Sequence, residues 1–367
     1  MSTLRKAYSF DDVMLIPRYS TLDSRSDADL STTIASIKLK IPIIAANMSS
    51  VCGAEMASAL GKLGGLGIIH RMCSVEEQAH IVVKAAGYSL GADLDSEGAY
   101  PIGFSIGVGD DWRDRMEACR NYAHIVCLDI AHAHHERVVK LLKEYYATYK
   151  DYPIIIGQVA TPEAVKLLIS TIPNIKYLRT TAFKTSIGGG SLCTTRIKTG
   201  FGIPTFQAVV DIRNMSVGSH FPFVERGLTL IADGGIKNAG DIVKSLGAGA
   251  HAVMVGNLLA GTDEAPGEMI IQYNRAFGEA WQKYKLYRGS ASFSDKVQRG
   301  EEPKHIEGEE TLVPYKGPVA GVISSLVDGI RSGFSYGGAH TLQDLHENAE
   351  FVEITPLGFA ESLPHGK

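Results

Sequence analysis

Long hydrophobic runs, cysteine pairs and clusters of like charge are all scarce in this 367-residue sequence. No apolar stretch reaches the roughly 20 residues that a membrane-spanning helix needs, and the N-terminus lacks a hydrophobic signal-peptide region. The five cysteines contain no Cys-x-x-Cys pair, which is typical of reduced thiols in a cytoplasm. A net charge of −4 without a long Lys/Arg run disfavours binding to nucleic acid or to a membrane surface. We therefore expect a cytoplasmic protein with a large apolar core.

Short apolar runs alternate with amphipathic segments along the chain. Helix starts are indicated by a hydroxyl or amide at Ser74, Thr161 and Asn238, each placed to cap the segment that follows. Eight runs are apolar on both faces, as strands of a buried parallel sheet are: 42–47, 66–70, 101–108, 125–129, 154–159, 175–181, 228–235 and 252–257. The pattern predicts an α/β protein, a single (β/α)8 TIM barrel over residues 1–367. A doubly wound open sheet fits the alternation nearly as well.

Three segments lack a clear periodic pattern. Residues 87–100 are rich in glycine and aspartate, and residues 288–314 are charged and aperiodic. An aperiodic segment of that length in a compact domain is typically a functional lid or disordered, and 288–314 is predicted to be a mobile active-site flap. Residues 355–367 are expected to form a C-terminal tail.

The densest chemical signal is the run from Ser186 to Arg196. Its three consecutive glycines at 188–190 let the backbone approach a ligand closely and direct amides at an anion. Ser191 adds a hydroxyl, and Cys193 follows it as a candidate nucleophile, since a thiolate is activated by nearby amides or cations. A glycine turn beside an inert cysteine is the alternative interpretation.

Two further glycine clusters follow the last two predicted strands. They are Asp233-Gly234-Gly235 and Gly256-Asn257. In barrels the loops after strands seven and eight commonly bind phosphate through backbone amides, and a carboxylate such as Asp233 can accept hydrogen bonds from sugar hydroxyls. Together with Ser191 they predict a nucleotide monophosphate site, although tight turns alone also use glycine.

The run Gly-Gly-Gly-Ser-Leu-Cys-Thr-Thr-Arg at 188–196 resembles the catalytic loop of the IMP dehydrogenase/GMP reductase family. Matching stretches occur in order at 10–17, 42–48, 128–129, 233–235, 247–250, 260–268, 307–308 and 313–317. The resemblance covers about residues 8–340 and implies a (β/α)8 barrel that binds a purine nucleotide through a bond to the cysteine.

The resemblance leaves two enzymatic branches open. The dehydrogenase oxidises IMP to XMP with NAD, and the reductase converts GMP into IMP and ammonia with NADPH. Only some thirty residues separate Arg71 from Pro101, so no CBS domains are inserted after the second strand, and residues 288–314 contain no tyrosine for the dehydrogenase's Arg-Tyr base. Both features favour GMP reductase over an IMP dehydrogenase that lacks CBS domains.

The resemblance also implies roles for individual residues. Cys193 is the implied nucleophile, with Thr195 and Glu307 as its proton-transfer pair. The cofactor NADPH would lie beside Asp129, Ile130 and Ala131. The substrate, GMP or IMP, would contact the set Ser191, Asp233, Gly234, Gly235, Gly256, Asn257, Ser290, Ala291, Ser292 and Gly308. The backbone carbonyls of Gly188, Gly190 and Cys193 correspond to a K⁺ site, and family members are usually homotetramers.

Several positions depart from the family pattern. Ser186 stands where glycine is usual, Gly189 where proline is usual, and Lys304 where the reductase has a flap arginine. The run 177–183 does not match the expected sixth strand.

Other classes of function remain open from the residues alone. The histidines at 132, 134 and 135 suggest a metal site, but they lack an obvious carboxylate or cysteine partner. A non-catalytic purine-nucleotide-binding barrel would not need Cys193, Thr195 or Glu307. A flavin-dependent barrel would use the same phosphate loops without the cysteine.

Overall fold

The computed structural model describes residues 4–87, 100–217, 221–222, 227–274, 280–298, 302 and 304–364. The glycine- and aspartate-rich loop predicted at 87–100 lies almost wholly outside these residues, as do 299–301 and 303 of the predicted flap and the last three residues of the predicted tail. Among the described helices, none has both the length and the apolar character needed to cross a membrane.

A short hairpin precedes the barrel and closes one of its ends. The N-terminal strands are β1 (Val13–Leu15), β2 (Thr32–Ile34) and β3 (Ile37–Leu39). The β2–β3 turn is formed by Ala35 and Ser36, both with positive φ. The amide of Ala35 donates to Thr229 Oγ1 at 3.1 Å, and Ile34 and Ala35 are fully buried. Because Thr229 begins a barrel strand, the hairpin covers the amino-terminal end of the barrel.

Eight parallel strands form a closed barrel, so the TIM-barrel prediction is confirmed and the open-sheet alternative is wrong. They pair in the order β12-β13-β4-β5-β6-β7-β8-β9. Their bounds are β4 (Ile43–Ala45), β5 (Leu66–Ile69), β6 (Ile102–Ile106), β7 (Ile125–Asp129), β8 (Ile154–Val159), β9 (Thr181–Thr185), β12 (Thr229–Asp233) and β13 (Ala252–Val255); two short strands, β10 (Ser216–Val217) and β11 (Phe221–Pro222), pair with each other.

Alternate side chains of these strands fill the barrel interior or pack under the surrounding helices. Ile44, Ile68, Cys127, Ile155 and Met254 belong to the interior cluster and are at most 1% exposed. Parallel strands are buried on both faces in this way, which is why their sequences are apolar runs rather than alternating ones. Side chains that point inward at the carboxyl ends of the strands therefore meet around one cavity.

The helices follow the strands as the capping signals predict. Thr161 Oγ1 accepts from the amide of Ala164 at 3.3 Å, and Asn238 Oδ1 accepts from Asp241 at 3.0 Å. The bounds are α1 (Ala54–Lys62), α2 (Val75–Gly87), α3 (Trp112–Cys119), α4 (Glu136–Thr148), α5 (Pro162–Ser170), α6 (Thr195–Thr199), α7 (Thr205–Arg213), α8 (Ala239–Gly247), α9 (Phe293–Gln298), α10 (Val319–Tyr336), α11 (Leu342–Asn348) and α12 (Pro356–Glu361).

The strand predicted at 175–181 is wrong. Residues Ile175–Thr180 form a 3-10 helix, and the sixth barrel strand is β9, Thr181–Thr185. Asn174 caps the 3-10 helix by accepting from the amide of Lys176 at 3.0 Å. The true strand was missed because Lys184 interrupts its apolar pattern, although the side chain is buried.

The predicted flap and tail both contain regular structure. A three-stranded antiparallel sheet is formed by β14 (Met269–Asn274), β15 (Ala280–Arg288) and β16 (Glu310–Pro314). The predicted flap at 288–314 therefore ends in a strand and also contains α9. Beyond it, β17 (Phe351–Glu353) pairs with β1, and the helix α12 occupies much of the predicted tail at 355–367.

Candidate active site

A cavity of about 520 Å³ opens at the carboxyl ends of the barrel strands. It brings together predicted residues from four separate parts of the chain. Those that line it are Asp129, Ile130, Ala131, Gly188, Gly190, Ser191, Cys193, Thr195, Asp233, Ser290, Ala291, Glu307 and Gly308. Gly234, Gly235, Gly256, Asn257 and Ser292 are outside this lining and lie next to it along the chain.

Cys193, Thr195 and Glu307 form a continuous hydrogen-bonded chain at the cavity wall. The thiol Sγ of Cys193 donates to Thr195 Oγ1 at 3.1 Å. Thr195 Oγ1 in turn donates to Glu307 Oε2 at 2.5 Å. We call these three residues the thiol relay, because the bonds provide a path for a proton from sulfur to the carboxylate.

Backbone hydrogen bonds bring Glu307 to the relay although it is far away in sequence. The amide of Thr194 donates to the carbonyl of Glu307 at 2.9 Å, and the amide of Glu309 donates to the carbonyl of Leu192 at 3.0 Å. These bonds make Cys193 and Gly308 an antiparallel bridge pair. The 307–309 segment is thus attached to the cysteine loop as a short ladder.

The segment after β15 supports the same ladder from the other side. The amide of Glu307 donates to the carbonyl of Ala291 at 3.2 Å. A Cβ atom at Gly308 would lie 2.9 Å from the amide nitrogen of Ser292, so only glycine permits this approach. Ser290, Ala291 and Gly308 consequently share one edge of the cavity.

The cysteine loop is closed by Arg196. Its Nε donates to the carbonyl of Ile187 at 3.0 Å and its guanidinium also bonds the carbonyl of Ile203 at 2.5 Å. Gly188 has a φ of 72°, a left-handed conformation that favours glycine. The loop therefore turns back on itself and presents Cys193 towards the cavity.

The two predicted phosphate loops lie beside Ser191. Gly234 has a φ of 96°, and a Cβ atom at Gly256 would lie 2.8 Å from the hydroxyl of Tyr287. That hydroxyl is 3.2 Å from Ser191 Oγ. Burial raises the pKa of Tyr287, which keeps it a neutral hydrogen-bond donor. Asn257 is exposed, and its carbonyl accepts from Lys316.

A charge network at the strand ends was missed by the sequence reasoning. Lys184 Nζ lies 3.1 Å from Asp129 Oδ1 and 3.2 Å from Asp233 Oδ2, and its side chain is 3% exposed. Lys184, Asp129 and Asp233 are called the strand-end network below. A lysine in an apolar run was the available signal, because a buried cation needs carboxylates nearby.

The network holds Lys184 and Asp129 in their charged forms. Burial disfavours the ammonium of Lys184, but Asp129 and Asp233 outweigh burial and raise the pKa of Lys184 above its ordinary value. Burial also opposes ionisation of Asp129, but Lys184 and Arg71 outweigh it and lower the pKa of Asp129. Opposite charges at these distances favour ionisation of both partners.

Neighbouring side chains complete the network. Arg71 Nε lies 3.8 Å from Asp129 Oδ2, and its terminal nitrogen donates to the Asp129 carbonyl at 3.2 Å. Gln158 donates its side-chain amide to Asp233. Arg71 and Gln158 line the cavity as well, and neither was singled out from the sequence.

The histidine cluster at 132–135 lies on the loop after β7. The rings of His132 and His134 meet edge to face with centroids 6.1 Å apart, and both residues are exposed. Across the described part of the chain, no group of three histidine, cysteine or acidic residues is arranged to hold a metal ion.

The fold and the site together define a class of protein. It is a (β/α)8 barrel with a thiol, a hydroxyl and a carboxylate in series at the carboxyl-terminal face, next to glycine loops suited to an anion.

Comparison with known proteins identifies the family. Residues 7–365 match the model of the IMP dehydrogenase / GMP reductase domain. An inosine-5'-monophosphate dehydrogenase from Borreliella burgdorferi is 33% identical, over 98% of this chain and 97% of its own. A GMP reductase from Leishmania major is 29% identical, over 100% and 98%.

A solved structure shows the same similarity in three dimensions. A crystal structure of a GMP reductase from Trypanosoma brucei, a cysteine-to-alanine variant in complex with guanosine 5'-monophosphate, superposes with a TM-score of 0.87 at 26% identity. The match covers 100% of this chain and 99% of that one. The chain belongs to the IMP dehydrogenase/GMP reductase family of oxidoreductases.

Proposed function

We propose that this protein is a GMP reductase, which converts GMP, NADPH and two protons into IMP, NADP⁺ and an ammonium ion. The observation that carries the proposal is the direction of the thiol relay, in which sulfur donates to Thr195 and Thr195 donates to Glu307. The relay can take the proton from the thiol and later return it to a leaving nitrogen.

The relay accounts for both halves of the first step. As the Cys193 proton passes through Thr195 to Glu307, the thiolate attacks C2 of the guanine ring and forms a carbon–sulfur bond. Glu307 then returns the proton through Thr195 to the exocyclic nitrogen, the C2–N bond breaks, and ammonia leaves. A carboxylate acting through one hydroxyl is suited to such general acid–base transfer.

The second step requires the nicotinamide next to the same carbon. Reduced nicotinamide supplies a hydride when it is bound. Asp129, Ile130 and Ala131 line the same cavity as the cysteine loop and would hold that ring. When C2 gains the hydride, the carbon–sulfur bond breaks, IMP is released, and the thiolate of Cys193 regains a proton.

The remaining residues fit a purine monophosphate. The hydroxyls of Ser191 and Tyr287, 3.2 Å apart, would donate to the phosphate with the amides of the Gly234-Gly235 turn. Asp233 would accept from the ribose, and the edge formed by Ser290, Ala291 and Gly308 would contact the base. The proposed phosphate end is thus uncharged but rich in donors.

A K⁺ ion would be bound here by backbone carbonyl oxygens alone. Neutral carbonyl oxygens are the donors that K⁺ uses in proteins, and Gly188, Gly190 and Cys193 would supply them. The Gly190 carbonyl already accepts the amide of Cys193 at 3.0 Å, which leaves one of its lone pairs for an ion.

An IMP dehydrogenase is the second candidate, since relatives of 30–33% identity carry that name. Its hydrolytic step needs a base that activates water. Residues 288–314 contain no tyrosine, and the neighbouring Tyr287 is buried against Ser191. These observations favour the reductase.

The two candidates are separated by assays in both directions. The protein is incubated with GMP and NADPH, and separately with IMP and NAD, while the absorbance of the reduced nicotinamide and the released ammonia are followed. We expect NADPH loss and ammonia release in equimolar amounts with GMP. Growth of NADH from IMP without a response to GMP would contradict the proposal, and so would silence in both assays with GMP bound.

A further inference from the structure

Ser186 begins the cysteine loop and is almost completely enclosed, at 2% exposure. Its Oγ accepts two hydrogen bonds. One comes from the backbone amide of Gly189 at 3.1 Å and the other from Thr205 Oγ1 at 3.2 Å. Thr205 is also buried, at 4% exposure, so neither hydroxyl has water as a ready substitute partner.

The same contacts explain why residue 189 is glycine. A Cβ atom there would lie 2.4 Å from Ser186 Oγ and 2.5 Å from Thr205 Oγ1, and both atoms belong to short, buried side chains. Gly189 is not among the glycines with positive φ, so its backbone does not require glycine. The requirement is space for the two hydroxyls.

The bond from the amide of Gly189 to Ser186 fixes Gly189, and the peptide that follows this residue is in contact with both halves of the site. A Cβ atom at Gly234 would lie 2.7 Å from the carbonyl carbon of Gly189 and 2.8 Å from the nitrogen of Gly190. The Gly189–Gly190 peptide is therefore in close contact with the turn after β12. Its other end leads to Cys193, whose amide donates to the carbonyl of Gly190 at 3.0 Å.

We propose that Ser186 and Thr205 are positioning residues that fix Gly189 through its amide, so that the Gly189–Gly190 peptide packs against Gly234 and Cys193 is set in its place in the cavity. The inference deepens the proposed function and rests on it only for the turnover measurements. It treats Ser186 and Gly189, two of the departures from the family pattern, as one coupled pair.

Proline at 189 is the informative substitution. Proline has no N–H to donate to Ser186, and its ring would occupy the space of the two hydroxyls. Once Ser186 is glycine, the bond is already absent, and only the Thr205 hydroxyl still lies close to a Cβ atom at 189, at 2.5 Å. Gly189→Pro should therefore do less damage in the Ser186→Gly background than in the unaltered chain.

The experiment compares Ser186→Gly, Gly189→Pro and the double variant with the unaltered chain. The first measurement is the rate at which iodoacetamide alkylates Cys193 without nucleotide, followed on the peptide that contains it. The second is kcat and KM for GMP. Because alkylation needs no turnover, it tests the positioning role even if the protein does not reduce GMP.

We expect Ser186→Gly to lower kcat by about 10- to 100-fold, since misplaced reacting groups cost that much, and to change the alkylation rate. Gly189→Pro alone should lower kcat further than Ser186→Gly does. Added to Ser186→Gly, it should change kcat and the alkylation rate by a smaller factor than it does in the unaltered chain. Equal damage by Gly189→Pro in the two backgrounds would overturn the proposal.

Two further variants cover the case in which Gly189→Pro does not fold. Thr205→Val removes one hydroxyl without changing the volume, and it should lower kcat with little effect on KM. Ser245→Ala is the matched control, because Ser245 is fully buried and donates to the carbonyl of Asp241 at 2.8 Å within α8. It should lower the melting temperature while kcat and alkylation stay unchanged. If Thr205→Val and Ser186→Gly alter only the melting temperature, as the control does, the positioning role is refuted.

Discussion

Lys184 and Cys193 line the same cavity, yet they are held by different kinds of interaction. Lys184 belongs to a strand and is fixed by two carboxylates within 3.2 Å. Cys193 belongs to a loop and is held by backbone hydrogen bonds and by the hydrogen bond of its thiol to the Thr195 hydroxyl. The strand-end network is thus a buried set of charges, whereas the thiol relay is a path for one proton.

The strand-end network and the thiol relay should affect different properties of the protein, its stability and its turnover. Breaking a buried ion pair leaves a charge without a partner and is strongly destabilising. Breaking a half-exposed hydrogen-bond chain costs little folding energy but removes the route of the proton. Substitutions in the relay should therefore change turnover, whereas removal of the Lys184 cation should change mainly the free energy of unfolding.

The largest expected effect is that of Cys193→Ala. Without the nucleophile no bond to C2 forms, so kcat should fall by at least about 10⁴-fold. The affinity for GMP, measured by calorimetry, should stay within a few-fold because the phosphate and ribose contacts remain. Retained turnover would refute the covalent step.

Glu307→Gln should have the next largest effect. The amide keeps the shape of the side chain but cannot take up the proton, so we expect kcat to fall by about 10²- to 10⁴-fold. KM for GMP should change little. The control is Glu309→Gln, because Glu309 is exposed on the same segment and its side chain has no place in the relay. An unchanged kcat for Glu307→Gln would remove it from the mechanism.

Lys184→Met tests the other side of the comparison. It leaves Asp129 and Asp233 without their shared cation, and the free energy of unfolding should fall by roughly 3–5 kcal/mol. Urea unfolding measures it, with Lys166→Met on the exposed face of α5 as the matched control. A loss no larger than that of the control would mean that the network does not stabilise the barrel.

Acid should weaken the protein through His70, which directly precedes Arg71 in the chain. Its Nδ1 accepts from the amide of Met72 at 3.1 Å, and burial together with the Arg115 cation lowers its pKa to about 4. The unfolded histidine takes a proton near pH 6.5 but the folded one does not. Stability is therefore lost as the pH falls from about 6.5 to about 4, by roughly 3 kcal/mol.

The measurement is urea unfolding at several pH values with His70→Asn beside the unaltered chain. Asparagine offers an oxygen near the position of Nδ1 and does not titrate in this range. The variant should lose less stability between pH 7 and pH 4. Parallel curves for the two proteins would assign the acid sensitivity to other groups.

The barrel was predictable because its signals are local. Seven of the eight strands are apolar runs, and capping residues such as Thr161 and Asn238 mark helix starts within a few residues of the observed ones. The prediction of the sixth strand was wrong because Lys184 can be buried there only beside the carboxylates of β7 and β12. That information does not exist in the sequence near residue 184.

The residues of the candidate site also differ in whether the local sequence identifies them. Ser191 and Cys193 stand in one glycine-rich run, and the chemistry of that run pointed to them directly. Glu307 was identified only through the family resemblance, since 112 residues separate it from Thr195 and backbone bonds of the folded chain bring them together. Arg71, Gln158 and Tyr287 carry no local signal, because the partner of each lies in a distant part of the chain.

The most direct test of the account is the mass of the peptide that contains Cys193 after incubation with GMP and no NADPH. The relay predicts an adduct heavier than the free peptide by GMP minus ammonia, with ammonia in solution, and little adduct in Glu307→Gln within the same time. Absence of the adduct in a protein that binds GMP, or equal formation without the Glu307 carboxylate, would contradict the role of the thiol relay.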